Sequence, residues 1–151
     1  MVNDSIKAKG TLTLVLTDEN GNVKQQDEHN LVVSAGLAYI TSRMKDATAT
    51  AMSHMAVGSG TTAAAAAQTA LITPIGARVA LTSTNLATTT VANDTVEYVA
   101  TFAAGVGTGA VTEAGIFNAL TAGTMLCRTV FSVINKGALD TLVITWRVAV
   151  A

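Results

Sequence analysis

Between residues 77 and 150 the chain is a run of strand-length segments rich in Thr and Val, over 78–90, 95–103, 110–117, 124–133 and 141–150. Turn-forming stretches separate them: Ala92-Asn93-Asp94, the glycines Gly105, Gly107 and Gly109, residues 118–123, and Asn135-Lys136-Gly137. No helical periodicity intervenes, and successive strands joined by such turns pair antiparallel and close into a sandwich or barrel. Within the segments the side chains alternate. Val96, Tyr98, Ala100 and Phe102 share one face, and Leu142, Ile144 and Trp146 share another. The expected fold class is all-β and mainly antiparallel, a β-sandwich or jelly-roll-like barrel.

The N-terminal third adds a hairpin and one helix. Leu12, Leu14 and Leu16 alternate with Thr over 11–17, the period-2 signature of a half-buried strand. Asn20-Gly21 is a strong hairpin signal, and 23–28 returns as a polar strand. Leu37, Ile40 and Met44 follow at helical spacing behind Ser34, which predicts a helix over 35–45 with Ser34 as its N-cap. A short strand is expected over 52–57, ending in the turn Gly58-Ser59-Gly60, and either a helical turn or an irregular loop over 63–67. The chain is taken as one domain, 1–151, with an N-terminal arm or hairpin over 1–30 and a β-sandwich carrying one helix over 31–151.

Charge is scarce and unevenly placed. The 151 residues carry 9 Lys or Arg and 10 Asp or Glu, where a typical composition of roughly 25% charged residues would give about 38. Eleven of the 19 precede residue 47. Thr (24) and Ala (27) supply most of the remaining surface character, and charge-depleted surface is what the centre of a protein–protein contact uses. Edge strands with few Lys or Pro guards also call for cover by another chain. The net charge of −1 with no basic run speaks against a nucleic-acid partner. A membrane span is not expected either, because the uncharged stretch 47–77 contains His54, Gln68, Pro74 and many Thr. Residues 1–10 hold no apolar signal-peptide core.

Catalytic and ligand motifs are fragmentary. His29 sits among acidic neighbours, His54 lies between methionines, and Cys127 is alone; they offer no metal-ligand spacing and no disulfide. Gly58-Ser59-Gly60 and the Gly105–Gly109 glycines lack the Lys and the following helix of a phosphate loop. Asp18-Glu19-Asn20-Gly21-Asn22 is a turn and not a calcium loop. Asn3-Asp4-Ser5 and Asn93-Asp94-Thr95 spell glycosylation sequons, with nothing to indicate secretion. No enzyme activity, metal or cofactor is expected. Three charges in apolar surroundings stand out, Glu113, Arg128 and Arg147. A hairpin around 118–123 would pair Glu113 with Arg128 across strands, either at the surface, or buried or between subunits, where an unpaired charge is costly.

The runs Thr112-Glu113-Ala114-Gly115-Ile116-Phe117-Asn118, Gly123 to Phe131, Ile134 to Gly137 and Asp140 to Trp146 resemble a pattern in small virion proteins of tailed bacteriophages. Val57-Gly58-Ser59-Gly60-Thr61-Thr62 with the small residues after it is similar to the same group. That family comprises capsid decoration (cement) proteins and tail- or fibre-associated proteins. The resemblance implies Phe117, Phe131 and Trp146 as core and Gly115 and Gly123 as turn residues. It also implies a structural subunit on the phage head, made in the bacterial host cytoplasm, that stabilises contacts between major capsid proteins and associates with copies of itself. A tail, neck or fibre-attachment component is the alternative.

Overall fold

The computed structural model describes residues 6–46 and 48–150; the sequon at Asn3 and the first residues of the expected arm lie outside that range. Nine strands form one curled, half-barrel sheet that is mainly antiparallel, which bears out the all-β expectation. The strands are β1 (Ala8–Thr17), β2 (Val23–Val32), β3 (His54–Gly58), β4 (Val79–Ala80), β5 (Ser83–Ala87), β6 (Thr95–Phe102), β7 (Gly109–Phe117), β8 (Met125–Lys136) and β9 (Thr141–Val150). Their order across the sheet is β4-β3-β7-β8-β2-β1-β9-β6-β5. Among the described residues one helix, α1 (Ser34–Lys45), follows β2.

The hairpin expected as an N-terminal arm is instead the middle of the sheet. β1 pairs with β2 on one side and with β9 on the other, in register from Ala8↔Val150 to Thr17↔Thr141. The reason is its apolar face: Leu12, Leu14 and Leu16 are buried and need Ile144, Trp146 and Phe102 around them. The β1–β2 turn forms as its residues dictate. Gly21 adopts φ +82, and the Asp18 carboxylate accepts the N–H groups of Asn20 and Asn22 at 2.9 and 2.8 Å.

The expected strand over 78–90 divides into two. β4 pairs with β3 at one end of the sheet, whereas β5 pairs with β6 at the other, and only Leu81 and Thr82 lie between them. The Leu81 N–H bonds to Ser53 O and the Thr82 N–H to Val99 O, so each link residue belongs to a different edge. The sheet is therefore curled far enough for one short link to join its first and last strands.

Helix α1 begins one residue earlier than expected. Ser34 is its first residue, Val33 takes the N-cap position, and no side chain caps the helix. The Ser34 N–H bonds to the Ala66 carbonyl at 2.8 Å, which satisfies a first-turn donor from a distant loop. Gly36 lets the helix lie against β8, since a Cβ there would fall 2.1 Å from Leu126 O.

Two apolar clusters result. The larger fills the concave face and includes Leu14, Met55, Phe102, Ile116, Phe131 and Trp146. The smaller, Val33, Ala56, Leu71, Phe117 and Met125, lies on the other face of β3, β7 and β8. β3, the second half of β7 and residues Met125 to Thr129 of β8 are buried on both sides. Truncating Leu14, fully buried, to Ala is expected to cost about 2–5 kcal/mol in denaturant unfolding. Leu86→Ala, at an exposed edge position, should stay within about 0.5 kcal/mol.

Candidate functional site

The second buried face of β3, β7 and β8 exists because residues 59–78 cross it as a strap without regular secondary structure. Residues 63–67 are irregular, one of the two expected outcomes. The strap carries no formal charge before Arg78, and most of its residues, Thr61, Ala63, Ala65 and Ile72 among them, are exposed.

What holds it is the pair singled out in the sequence. Glu113 and Arg128 have fully buried side chains, 2.7 Å apart at Arg128 Nη2 and Glu113 Oε2. The hairpin through residues 118–124 sets Gly115 opposite Arg128 and Glu113 opposite Val130, so the two charges meet diagonally on one face. Arg128 Nε also donates to Glu113 Oε2, at 2.9 Å. The strap supplies the rest of the carboxylate's partners. Gly60 N–H and Thr73 N–H donate to Oε1 at 3.1 and 2.7 Å, and Ile72 N–H donates to Oε2 at 3.1 Å. On the arginine side, Nη1 donates to Gln68 Oε1 at 2.8 Å and Nη2 to Thr62 O at 3.0 Å. Gln68 accepts a further bond from Ala65 N–H and donates to Ala63 O, closing a small turn inside the strap. Both charges are thus hydrogen-bonded as well as paired, the condition under which a buried ion pair offsets its desolvation.

Burial pushes the Glu113 carboxyl up, but the Thr73 and Ile72 N–H groups and the Arg128 guanidinium outweigh it and hold the group below its ordinary 4.5. The close approach of strap to sheet also fixes two glycines. A Cβ on Gly58 would sit 2.5 Å from both Glu113 Oε1 and Thr73 O, and one on Gly60 would sit 2.5 Å from Glu113 Oε1.

The residues expected as fold determinants are placed as follows. Phe117, Phe131 and Trp146 are buried, Phe117 in the smaller cluster and the other two in the larger. Gly123 has φ +68 in the β7–β8 connection, as a turn residue should. Gly115 is not in a turn: it lies inside β7, where a Cβ would press on Leu71 at 3.1 Å and Cys127 O at 3.3 Å. Arg147 is at the surface, paired with its cross-strand neighbour Glu97 at 2.7 Å. Cys127 is fully buried, and burial pushes its thiol well above the ordinary range. Ser53 Oγ lies 2.8 Å from His54 Nδ1, a contact between chain neighbours. Among the described residues no group of three or more His, Cys, Asp or Glu is placed to hold a metal ion, and no helix is long and apolar enough to cross a membrane.

Comparison with family models, with characterised proteins and with solved structures finds no match for this chain.

Three side chains of structural weight were not singled out from the sequence. Arg78 lies 3.5 Å over the Phe117 ring and donates to Ala119 O and Ala122 O, pinning the β7–β8 connection to the end of the strap. Lys136, 2% exposed, donates from Nζ to Ala103 O and Asp140 O at 2.9 and 2.7 Å and so joins two loops; burial holds its ammonium below the ordinary range. Asp94 accepts the N–H groups of Thr89, Thr90 and Val91 and orders the β5–β6 connection. Asp94 and Lys136 occur in turn-forming stretches, where a solvated charge is the ordinary expectation, and Arg78 opens a segment expected as a strand.

Removing one partner of the buried pair leaves the other uncompensated. Arg128→Met is expected to cost about 3–5 kcal/mol in denaturant unfolding. A carboxyl held below its ordinary value stabilises the fold above that value and stops doing so as pH falls through its folded value. Thermal melts below pH 4.5 should therefore fall less steeply for Glu113→Gln than for the parent chain.

Proposed function

We propose that the chain is a structural virion protein, a decoration subunit on the outside of a phage head that stabilises contacts between major capsid proteins. The observation that carries this reading is the strap: an exposed, uncharged surface of small side chains over 59–77, held to the sheet by a fully buried and fully hydrogen-bonded ion pair. Such a surface sheds little bound water on contact and has few side chains whose rotamers must be ordered, which lowers the cost of docking. It is also pre-set, because the strap cannot move without exposing Glu113 and Arg128.

Two further features favour an assembled state. The edge strand β5, Ser-Thr-Asn-Leu-Ala, carries no charged or proline guard and exposes Leu86, the kind of edge that pairs with another copy or a neighbour. The resemblance of the 112–146 runs to small virion proteins supplies the phage context. Contacts repeated around a symmetric shell would then add through avidity.

Cryo-microscopy of assembled particles tests the location. Density for this fold at regular positions on the capsid, strap facing the shell or a neighbouring copy, is the expected result. A bare capsid with density at the tail or neck would replace the reading with a tail component. Introducing charge on the strap by Ala63→Glu with Ala65→Glu is expected to lower co-sedimentation with capsids by at least about tenfold while leaving the thermal midpoint of the free protein unchanged.

A further inference from the structure

Helix α1 leaves part of the concave face open. Its second half, with residues of β5, β6, β8 and β9, lines a half-open cavity of about 410 Å³. The walls are predominantly apolar and include Ile40, Met44, Met52, Val96, Leu126 and Val148. Two methionines in such a wall adapt to ligand shape through unbranched, polarisable side chains. The volume falls within the range of small-molecule sites, which are concave, mostly apolar and supplied with a few converging polar groups.

Those polar groups are Tyr39, Tyr98, Arg43 and Thr84. Tyr98 is only 7% exposed, yet no described residue hydrogen-bonds its hydroxyl, which lines the cavity. A tyrosine buried to that degree ordinarily finds a partner for its O–H. Arg43 also lines the cavity, with Nη1 donating to Ala49 O at 2.7 Å. Among the described residues no Asp or Glu lines the cavity, and Arg43 brings a positive charge to it. Tyr39 and Arg43 line the same cavity as Tyr98.

We propose that this cavity binds a small amphipathic monocarboxylate, with its apolar chain under α1 and its carboxylate accepting from the Tyr98 and Tyr39 hydroxyls beside Arg43. An unbranched chain of about ten carbons suits the volume. A carboxylate is acceptor-only and matches two phenol donors and a cation, whereas an amine would meet the positive charge and an alcohol would forgo the ionic contribution. The proposal does not rest on the virion reading.

Isothermal titration of the full chain with decanoate, decanol and decylamine tests it, read together with the ¹³C-methyl shifts of the five methionines. Decanoate is expected to bind at one saturable site, with shifts at Met44 and Met52 and not at Met55 or Met125; decanol should bind at least about fivefold more weakly and decylamine not at all. Tyr98→Phe should weaken decanoate by about tenfold with no change in thermal midpoint. Val96→Trp should abolish binding by filling the cavity. Absence of saturable decanoate binding up to about 1 mM, equal binding of decylamine, or binding that Tyr98→Phe leaves unchanged would each overturn the assignment. Should Val96→Trp fail to fold, the Tyr98→Phe titration and the methionine shifts decide by themselves.

Discussion

The buried contact between Glu113 and Arg128 is the constraint around which this protein is arranged. Two full charges on one sheet face, with no water to solvate them, require a complete set of partners. β7 and β8 offer only each other's side chains, so the remaining hydrogen bonds come from the strap, at Gly60, Thr62, Gln68, Ile72 and Thr73. Long irregular segments are normally the loosest part of a domain. Here the segment is bound at five positions to groups that lose most if it leaves. The pair also specifies composition. Gly58 and Gly60 are small because the carboxylate occupies the space beside them, and Gly115 is small because Leu71 of the strap descends onto it.

The strap in turn supports the helix. Ser34 N–H has the Ala66 carbonyl as its partner, and Val33, the N-cap, packs in the same small cluster as Leu71. A helix of 12 residues with no side-chain cap and an exposed Met44 has little independent stability in water. Its position over the concave face is set by Gly36 against Leu126 at its start and by the strap beside it, and that position determines the shape of the cavity beneath its second half. The two sides of the sheet are thus coupled through one helix terminus: a charge pair on the convex side helps to fix an apolar chamber on the concave side.

Much of the fold was legible in the sequence, and the limits have physical causes. Alternation in Leu12–Leu16, Val96–Phe102 and Leu142–Trp146 reports burial of one face, and these became β1, β6 and β9. Strand order was not legible, because alternation carries no information about which strand lies alongside. That is why a hairpin with one apolar face could be taken for an arm when it is the sheet's centre. Residues 78–90 were taken as one strand, since nothing in Val79 to Ala87 marks the point where Leu81 and Thr82 pass from one edge to the other. At the strap, Glu113 and Arg128 were visible as isolated charges among Ala, Val and Leu. Gln68, which completes the arginine's shell, was not, because a polar residue in an alanine-rich loop has an equally good explanation in solvent. Tyr98 was seen as one member of an apolar face; its unpartnered hydroxyl is a property of the cavity and has no signature in the chain.

The β1–β9 pairing has a consequence for how the molecule reaches this state. β1 begins at residue 8 and its partner begins at residue 141, so the sheet's middle cannot close until nearly all of the described chain is free to fold. Loop closure over such a distance is entropically costly and comes before the contacts that reward it. Until then the β1–β2 hairpin holds a stripe of three leucines without its cover. On a ribosome that stripe stays open to water, to chaperones and to other nascent chains for most of the synthesis time. The local hairpins, β1–β2 and β7–β8, can form early; the sheet is completed last, when the strand that carries Trp146 closes between β1 and β6.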